Sequence, residues 1–181
     1  MKVWNDPFFW AFLSMIGWAL GPLLIGTKKF GKHLSFGVIS YLLWEIPRII
    51  IVAPFVDQPR FGASTSLMVI GIVILAMAFI FGAIPAFSIE PLTGVDVKNK
   101  LRTQGFYSIV RHPIMFGESL GPLGVALIFR STIGLIMFVL WVILIYLYTF
   151  FEEERLVEAY RDEYLSYQKK VPRIIPFIKF L

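Results

Sequence analysis

Two polar runs hold most of the chemistry available to this chain. The first is Gly105, Tyr107, Val110, Arg111, His112 and Pro113, followed by Met115, Gly117 and Glu118. The second opens at Glu152, Glu153 and Glu154 and continues through Leu156, Tyr164, Tyr167, Val171, Pro172 and Arg173. Each run abuts a long apolar stretch, where ionisable groups are costly to hold, so a function is the default reading. A plainer account of Arg111-His112-Pro113 is a headgroup anchor plus a helix-start proline, because proline's missing N–H would be unpaired in the first turn anyway. Three adjacent carboxylates at a membrane edge repel one another and an anionic leaflet. They fit better as partners for Arg111, Arg173 or a cationic ligand.

The elements that must position these runs are written in the composition. Of 181 residues, 57% are hydrophobic and only 16% charged, which marks a membrane protein rather than a soluble domain. The 18 Phe and 5 Trp suit lipid contact and interfacial anchoring. Without cysteine there are no disulfides, thiolate nucleophiles or thiolate-bound metals. With 2 His an all-imidazole zinc site is not expected, and no metal centre is predicted. The net charge of +5 sits in loops beside spans, which speaks for membrane orientation rather than nucleic acid.

A span needs ~20 apolar residues. Residues 8–26, 34–56 and 66–87 meet that length, and the apolar run 116–151 is interrupted at Phe129-Arg130-Ser131-Thr132. It is read as two antiparallel helices, 115–129 and 132–151, with a tight turn at Arg130. The fold expected is an all-α, polytopic membrane helix bundle of about five transmembrane helices. Basic residues concentrate in the loop with Lys28, Lys29 and Lys32, in the segment with Lys98, Lys100, Arg102 and Arg111, and in the tail from Arg155 to Lys179. The opposite loops hold Lys2, Arg60 and Arg130. The positive-inside rule then puts the N-terminus outside, and the C-terminus and both motifs in the cytoplasm. The N-terminus lacks the features of a cleaved signal and reads as a retained span. The tail reads as a cytoplasmic amphipathic helix. Leu156, Tyr160, Tyr164, Tyr167 and Val171 fall on one face, Glu154, Glu158, Arg161, Asp162 and Gln168 fall opposite, and Pro172 ends it.

Three smaller features stand beside these runs. Glu45 and Arg48 lie three apart in the second span, with Pro47 between them. They can pair on a helix, either to hold spans together or to line a cavity for a substrate head group. Gly117, Gly121 and Gly124 step along one helix face, which permits close packing or close approach of a flat cofactor. His33, in a basic loop, is read as solvated.

Together the two runs resemble the integral membrane family of isoprenylcysteine carboxyl methyltransferases and phospholipid methyltransferases. The matching residues are Gly105, Tyr107, Val110, Arg111, His112, Pro113 and Gly117, then Glu152, Glu153, Leu156, Tyr164, Tyr167, Val171 and Pro172. The ending Pro176-Phe177-Ile178-Lys179 is similar to the isoprenylcysteine branch. The resemblance covers residues 101–179. Two positions depart from it: Met115 stands where the family has Tyr, and Tyr160-Arg161 where it has Phe-Gly. A missing glycine there leaves a different local turn or a continuous helix.

The resemblance implies methyl transfer from S-adenosylmethionine, bound between the Arg-His-Pro region and the C-terminal helix. Carried over, Tyr107, Arg111, His112, Pro113, Met115, Gly117, Glu152 and Glu153 form the cofactor pocket. Arg111 suits the donor's carboxylate, and the glutamates suit its ammonium or ribose hydroxyls. In-line methyl transfer needs no protein nucleophile; positioning and exclusion of water supply most of the effect. Arg173 is the candidate to steer an anionic acceptor, and Glu153 or Glu118 the base for an amine. The acceptor is expected to be lipophilic or membrane-borne and to arrive from the lipid bilayer. On this reading residues 1–100 are three helices that select the substrate, and 101–181 are the methyltransferase-like core. Two other readings share parts of the pattern. Membrane sterol and steroid reductases using a reduced nicotinamide share a similar His-Pro and Gly117-Glu118 pattern. A non-catalytic membrane scaffold would account for Met115.

Overall fold

The computed structural model describes residues 2–26, 34–87 and 100–178. Lys28, Lys29, Lys32, His33, Lys98 and Lys179 lie outside them. The named elements among the described residues are helices, and the one bridge among these residues is an isolated pairing of Arg60 with Ser131. The helices are α1 (Pro7–Gly26), α2 (Leu34–Ile50), α3 (Thr65–Ala78), α4 (Ile84–Phe87), α5 (Pro113–Ile128), α6 (Thr132–Tyr160) and α7 (Asp162–Lys170). A π turn, Phe79–Ala83, joins α3 to α4. Among the described residues two helical stretches, Thr65–Ala86 and Thr132–Tyr160, are long and apolar enough to cross a membrane.

Local sequence sets the helix ends. Asp6 Oδ1 accepts the Phe8 N–H at 2.9 Å and Pro7 opens α1, an N-cap followed by a first-turn proline. Ser64 caps α3 through the Leu67 N–H. The second span, expected over 34–56, is helical only to Ile50 and continues as turns. Proline at 54 disfavours helical backbone at Ala53, which explains the early stop.

The chain divides into two compact units. The first comprises Met1–Leu75 and Gly121–Trp141. Here α1 and α2 touch backbone to backbone: a Cβ on Gly17 would lie 2.4 Å from the Trp44 amide nitrogen. Ser40 Oγ donates to the Gly17 carbonyl at 2.8 Å. Arg48 pairs with Glu45 at 2.7 Å and is buried against the rings of Trp44 and Trp141, at 4.3 and 5.5 Å. The Arg130 turn adopts φ 58°. It is held by residues 59–61: Phe61 N–H donates to the Arg130 carbonyl, Thr132 N–H donates to that of Pro59, and Arg60 donates to the Phe129 carbonyl at 2.7 Å.

The second unit comprises Ala76–Leu120 and Val142–Leu181. Its closest approach is Gly117 on Gly82, where a Cβ on Gly117 would lie 2.3 Å from the Gly82 nitrogen and 2.7 Å from the Ala78 carbonyl oxygen. The π turn places Gly82 there, and Phe81 packs edge-on against Phe106 and Phe116 at 5.5 and 5.1 Å. Tyr164, Tyr167 and Val171 form the core under the tail, with Leu101, Leu156, Val157 and Tyr160 against them. That is the apolar face expected from the spacing, but it belongs to two helices. The first is the end of α6, whose helix runs on past the apolar stretch through Glu152–154 to Tyr160. Arg161 then breaks it at φ 47°, ψ −122° before α7 begins. A residue with a Cβ is strained in that region, which glycine adopts freely.

Two predictions follow from this backbone. Gly117→Ala is expected to lower stability by about 1–3 kcal/mol through overpacking. Gly121→Ala, with no atom within 4 Å of the added methyl, is expected to be neutral or to gain up to ~1 kcal/mol from helix propensity. Thermal unfolding of both variants in detergent checks the contrast. Arg161→Gly is expected to raise stability by about 1 kcal/mol by relieving the left-handed strain; a lowered midpoint in the same assay would contradict that account.

Candidate active site

The site lies in the second unit and is organised around one carboxylate. Glu153, buried near the end of α6, accepts four donors from three other segments. Oε1 takes Arg111 Nε at 2.7 Å and faces His112 Nε2 at 3.1 Å. Oε2 takes Gln168 Nε2 at 3.0 Å and Arg173 Nη2 at 2.8 Å. A carboxylate has about four lone-pair positions, so Glu153 is saturated. Arg111 also donates to the carbonyls of Gln168 and Val171 at 3.0 and 2.5 Å. The Arg111 and His112 amides donate to the carbonyls of Pro172 and Arg173, at 2.8 and 3.0 Å. These bonds tie the start of α5 to the end of α7 and the strap that follows it.

His112 has a carboxylate at each ring nitrogen, since Nδ1 lies 3.1 Å from Glu152 Oε2. Only an imidazolium donates from both nitrogens. Burial by itself lowers an imidazole, but the hydrogen bonds to Glu152 and Glu153 outweigh it and hold His112 above its ordinary value. Glu152 keeps a side chain 42% exposed. Arg173 stacks on the Phe150 ring at 3.9 Å and reaches that of Tyr146 at 5.5 Å. Two buried donors, Tyr164 Oη and Arg173 Nε, have no hydrogen-bond partner among the described residues.

Beside this cluster, Pro85 and residues 101–107 line an open cavity of about 430 Å³. The turn Gly105–Ser108 forms its wall. It begins with Gly105 at φ 63°, a position that calls for glycine, and is closed by Ser108 Oγ donating to the Gly105 carbonyl. The Tyr107 carbonyl accepts the Tyr167 hydroxyl. Burial pushes the Tyr107 phenol up to about 12, reinforced by the Glu152 charge and opposed by Arg102. The Glu152 charge therefore lies within electrostatic reach of the Tyr107 phenol. Burial likewise pushes the phenols of Tyr164 and Tyr167 well above their usual range.

The remaining sequence-derived residues take definite places. Pro113 is buried as the first residue of α5. Met115 is half-buried in the first turn, its carbonyl accepting from Ser119 Oγ at 2.7 Å. Gly117 is covered by Gly82, so its missing side chain makes room for a helix. Glu118 is half-buried on α5 and within electrostatic reach of Tyr148, as is Glu152. Gln168, which the spacing puts on the polar face opposite the tail's apolar stripe, turns to Glu153 at 3.0 Å, and Tyr146, Phe150 and Phe81 belong to the site's frame without having been singled out by the sequence. Tyr146, Phe150 and Glu153 are spaced 4 and 3 apart on α6, a helical stripe that pointed to the first two. Nothing local signalled Phe81.

The pattern described as Phospholipid methyltransferase matches residues 60–163, spanning both polar runs as far as α7. The chain belongs to that family. Among curated proteins it is similar to the protein-S-isoprenylcysteine O-methyltransferase of Schizosaccharomyces pombe, 30% identical over 176 residues, 96% of this chain and 69% of that protein. It is also similar to the methanethiol S-methyltransferase of Pseudomonas deceptionensis, 26% identical over 169 residues, 92% of this chain and 56% of that one. Membership places the chain among membrane methyltransferases, in keeping with its two long apolar helices. Neither the reductase nor the scaffold reading is favoured by these relatives.

The geometry makes two predictions for this family member. Glu153→Gln leaves two guanidiniums and an imidazole around a neutral amide. Breaking a buried pair from one side costs about 3–5 kcal/mol, and a thermal or denaturant melt is expected to show a loss of that order. Glu152→Gln, at a half-exposed carboxylate, is expected to cost far less. For His112 the folded value is raised, so its ion pairs stabilise fully below the ordinary histidine value of about 6.5 and fade as pH rises through the raised value. The stability gap between wild type and His112→Gln is therefore expected to be widest in acid and to narrow as the solution becomes alkaline. A gap that widens with pH would sink the imidazolium assignment.

Proposed function

We propose that this protein is an integral membrane methyltransferase that uses S-adenosylmethionine to methylate a lipophilic or membrane-borne acceptor. The observation that carries the reading is the cavity lined by Tyr107, together with half-exposed Glu152, whose charge reaches the Tyr107 phenol, and the saturated Glu153 cluster of the same unit. When bound, the donor supplies a methyl group on a positively charged sulfur. The donor set fits such a molecule. Glu152 suits an ammonium or ribose hydroxyls, and Phe106 and Tyr107 offer aromatic surface.

Within this reading Arg111, His112 and Glu153 are positioning residues. Their hydrogen bonds go largely to one another and to the backbone, so they hold the pocket walls together. Glu153, with every lone-pair position used, is a poor base. Glu118 is the better candidate where an acceptor must lose a proton, and Arg173 orients an acceptor oxygen or anion. Pro113 and Gly117 set the entry angle and packing of α5, and Met115 lends apolar surface. Residues 1–100 select the acceptor, and residues 101–181 carry the transfer. The relatives' names suit this assignment, since isoprenylcysteine is lipid-linked and methanethiol is a small apolar thiol. Five crossings with the N-terminus outside would put the site at the cytoplasmic face, where a soluble cofactor is supplied.

The test is calorimetric titration of S-adenosylmethionine into the purified protein in detergent, with reduced nicotinamide cofactor run in parallel. Saturable binding of the methyl donor alone is expected. Glu152→Gln is expected to weaken it at least ~10-fold, about 1.4 kcal/mol, with little change in melting temperature. Undiminished binding in the variant would remove Glu152 from the site. Binding of the nicotinamide in place of the methyl donor would overturn the assignment.

A further inference from the structure

The segment after α7 carries a side chain that no contact among the described residues explains. Phe177 is 97% exposed, and its backbone sits at φ 67°. A left-handed backbone is unfavourable for a residue with a Cβ, and in water a wholly exposed phenyl ring returns nothing for it. Ile175 and Ile178 beside it are also exposed.

The position of this turn is set by its neighbours within the second unit. The carbonyls of Pro172 and Arg173 accept the Arg111 and His112 amides. The Arg173 guanidinium lies 3.9 Å from the Phe150 ring. Phe150 belongs to the exposed apolar surface of α6, with Ile143, Leu147 and Phe151. That surface ends where Glu152 begins, the level at which a spanning helix leaves hydrocarbon. The turn therefore hangs at the edge of the lipid-facing belt and extends it. Lys169 and Lys170, exposed at the end of α7, add positive charge of the kind that draws a segment to anionic lipid.

We propose that residues 173–178 form a wedge that inserts Phe177, flanked by Ile175 and Ile178, into the headgroup–acyl boundary of an anionic bilayer. The wedge lies on the strap that closes the Glu153 cluster, so it disturbs lipid packing next to the site. If the methyltransferase reading holds, this is where a membrane-borne acceptor would leave the bilayer.

The chain has no cysteine, so Phe177→Cys carries a single environment-sensitive fluorophore in the full-length protein. After reconstitution into phosphatidylcholine–phosphatidylglycerol vesicles, the label is expected to emit to the blue of the same fluorophore placed at Lys170→Cys. Lipids brominated near the headgroup should quench it, and iodide should quench it several-fold less than a label at Lys170→Cys. Vesicles of phosphatidylcholine alone are expected to give shallower burial. Water-like emission with full iodide access would overturn the wedge. Shielding that appears equally in detergent and depends on protein concentration would overturn it too, pointing to a second copy of the chain. Equal burial in both lipid mixtures would overturn the anionic preference. The readout involves neither donor nor acceptor, so it fails or succeeds apart from the methyltransferase reading.

Discussion

Glu153 is the common acceptor for groups that the chain delivers from three places: Arg111 and His112 before α5, Gln168 on α7, and Arg173 after it. A carboxylate buried at the end of an apolar helix is tolerable only when its lone pairs are filled, and these donors fill them. The converse holds for the donors, since two guanidiniums and an imidazole packed this closely need a shared anion. Each segment thus depends on the others being present. The loop carrying Tyr107, the entry of α5 and the strap at residues 172–173 are fixed by the same set of bonds that keeps the charges satisfied. The cavity wall at residues 101–107 inherits its order from that cluster, through Tyr167 donating to the Tyr107 carbonyl and the Arg111 amide donating to Pro172.

Close backbone contact plays the complementary part in apolar surroundings, where polar bonds are few. Gly17 against Trp44, Gly71 against Gly124 and Gly117 against Gly82 let helices approach at distances a methyl group would forbid. The last contact needs the π turn, which brings Gly82 onto α5 and aims Phe81 at Phe106. A local irregularity in an otherwise uniform apolar helix thereby shapes the edge of the site, a common place for such turns.

The methyltransferase reading rests on this division of labour. Methyl transfer asks the protein for alignment and dryness rather than for a nucleophile, and a site whose charged residues mostly bind one another is suited to that. Outside that network, Glu152 keeps a half-exposed carboxylate and Tyr107 lines the cavity. The family assignment and the physical reading meet on the same residues, but they give them different duties. Of the residues that the motifs mark as one pocket, Tyr107 lines the cavity, while Arg111, His112 and Glu153 bond one another and the backbone.

Much of this was legible in the residues alone. Apolar length and the break at Phe129-Arg130 determined helices close to those observed, because a helix buried in lipid must be long, continuous and nearly free of charge. Pro113 marked the start of α5, and the Tyr164–Tyr167–Val171 spacing marked the buried face of the tail, both being local rules of helix geometry. The pairing of Glu45 with Arg48 followed from a spacing of three. Tertiary structure decided the rest. That Glu153 gathers Arg111, His112, Gln168 and Arg173, that Gly117 serves Gly82, and that Arg161 breaks α6 rather than continuing it all depend on which distant backbones come together. Periodicity along a chain reports which face of an element is apolar; it holds no record of what that face will meet.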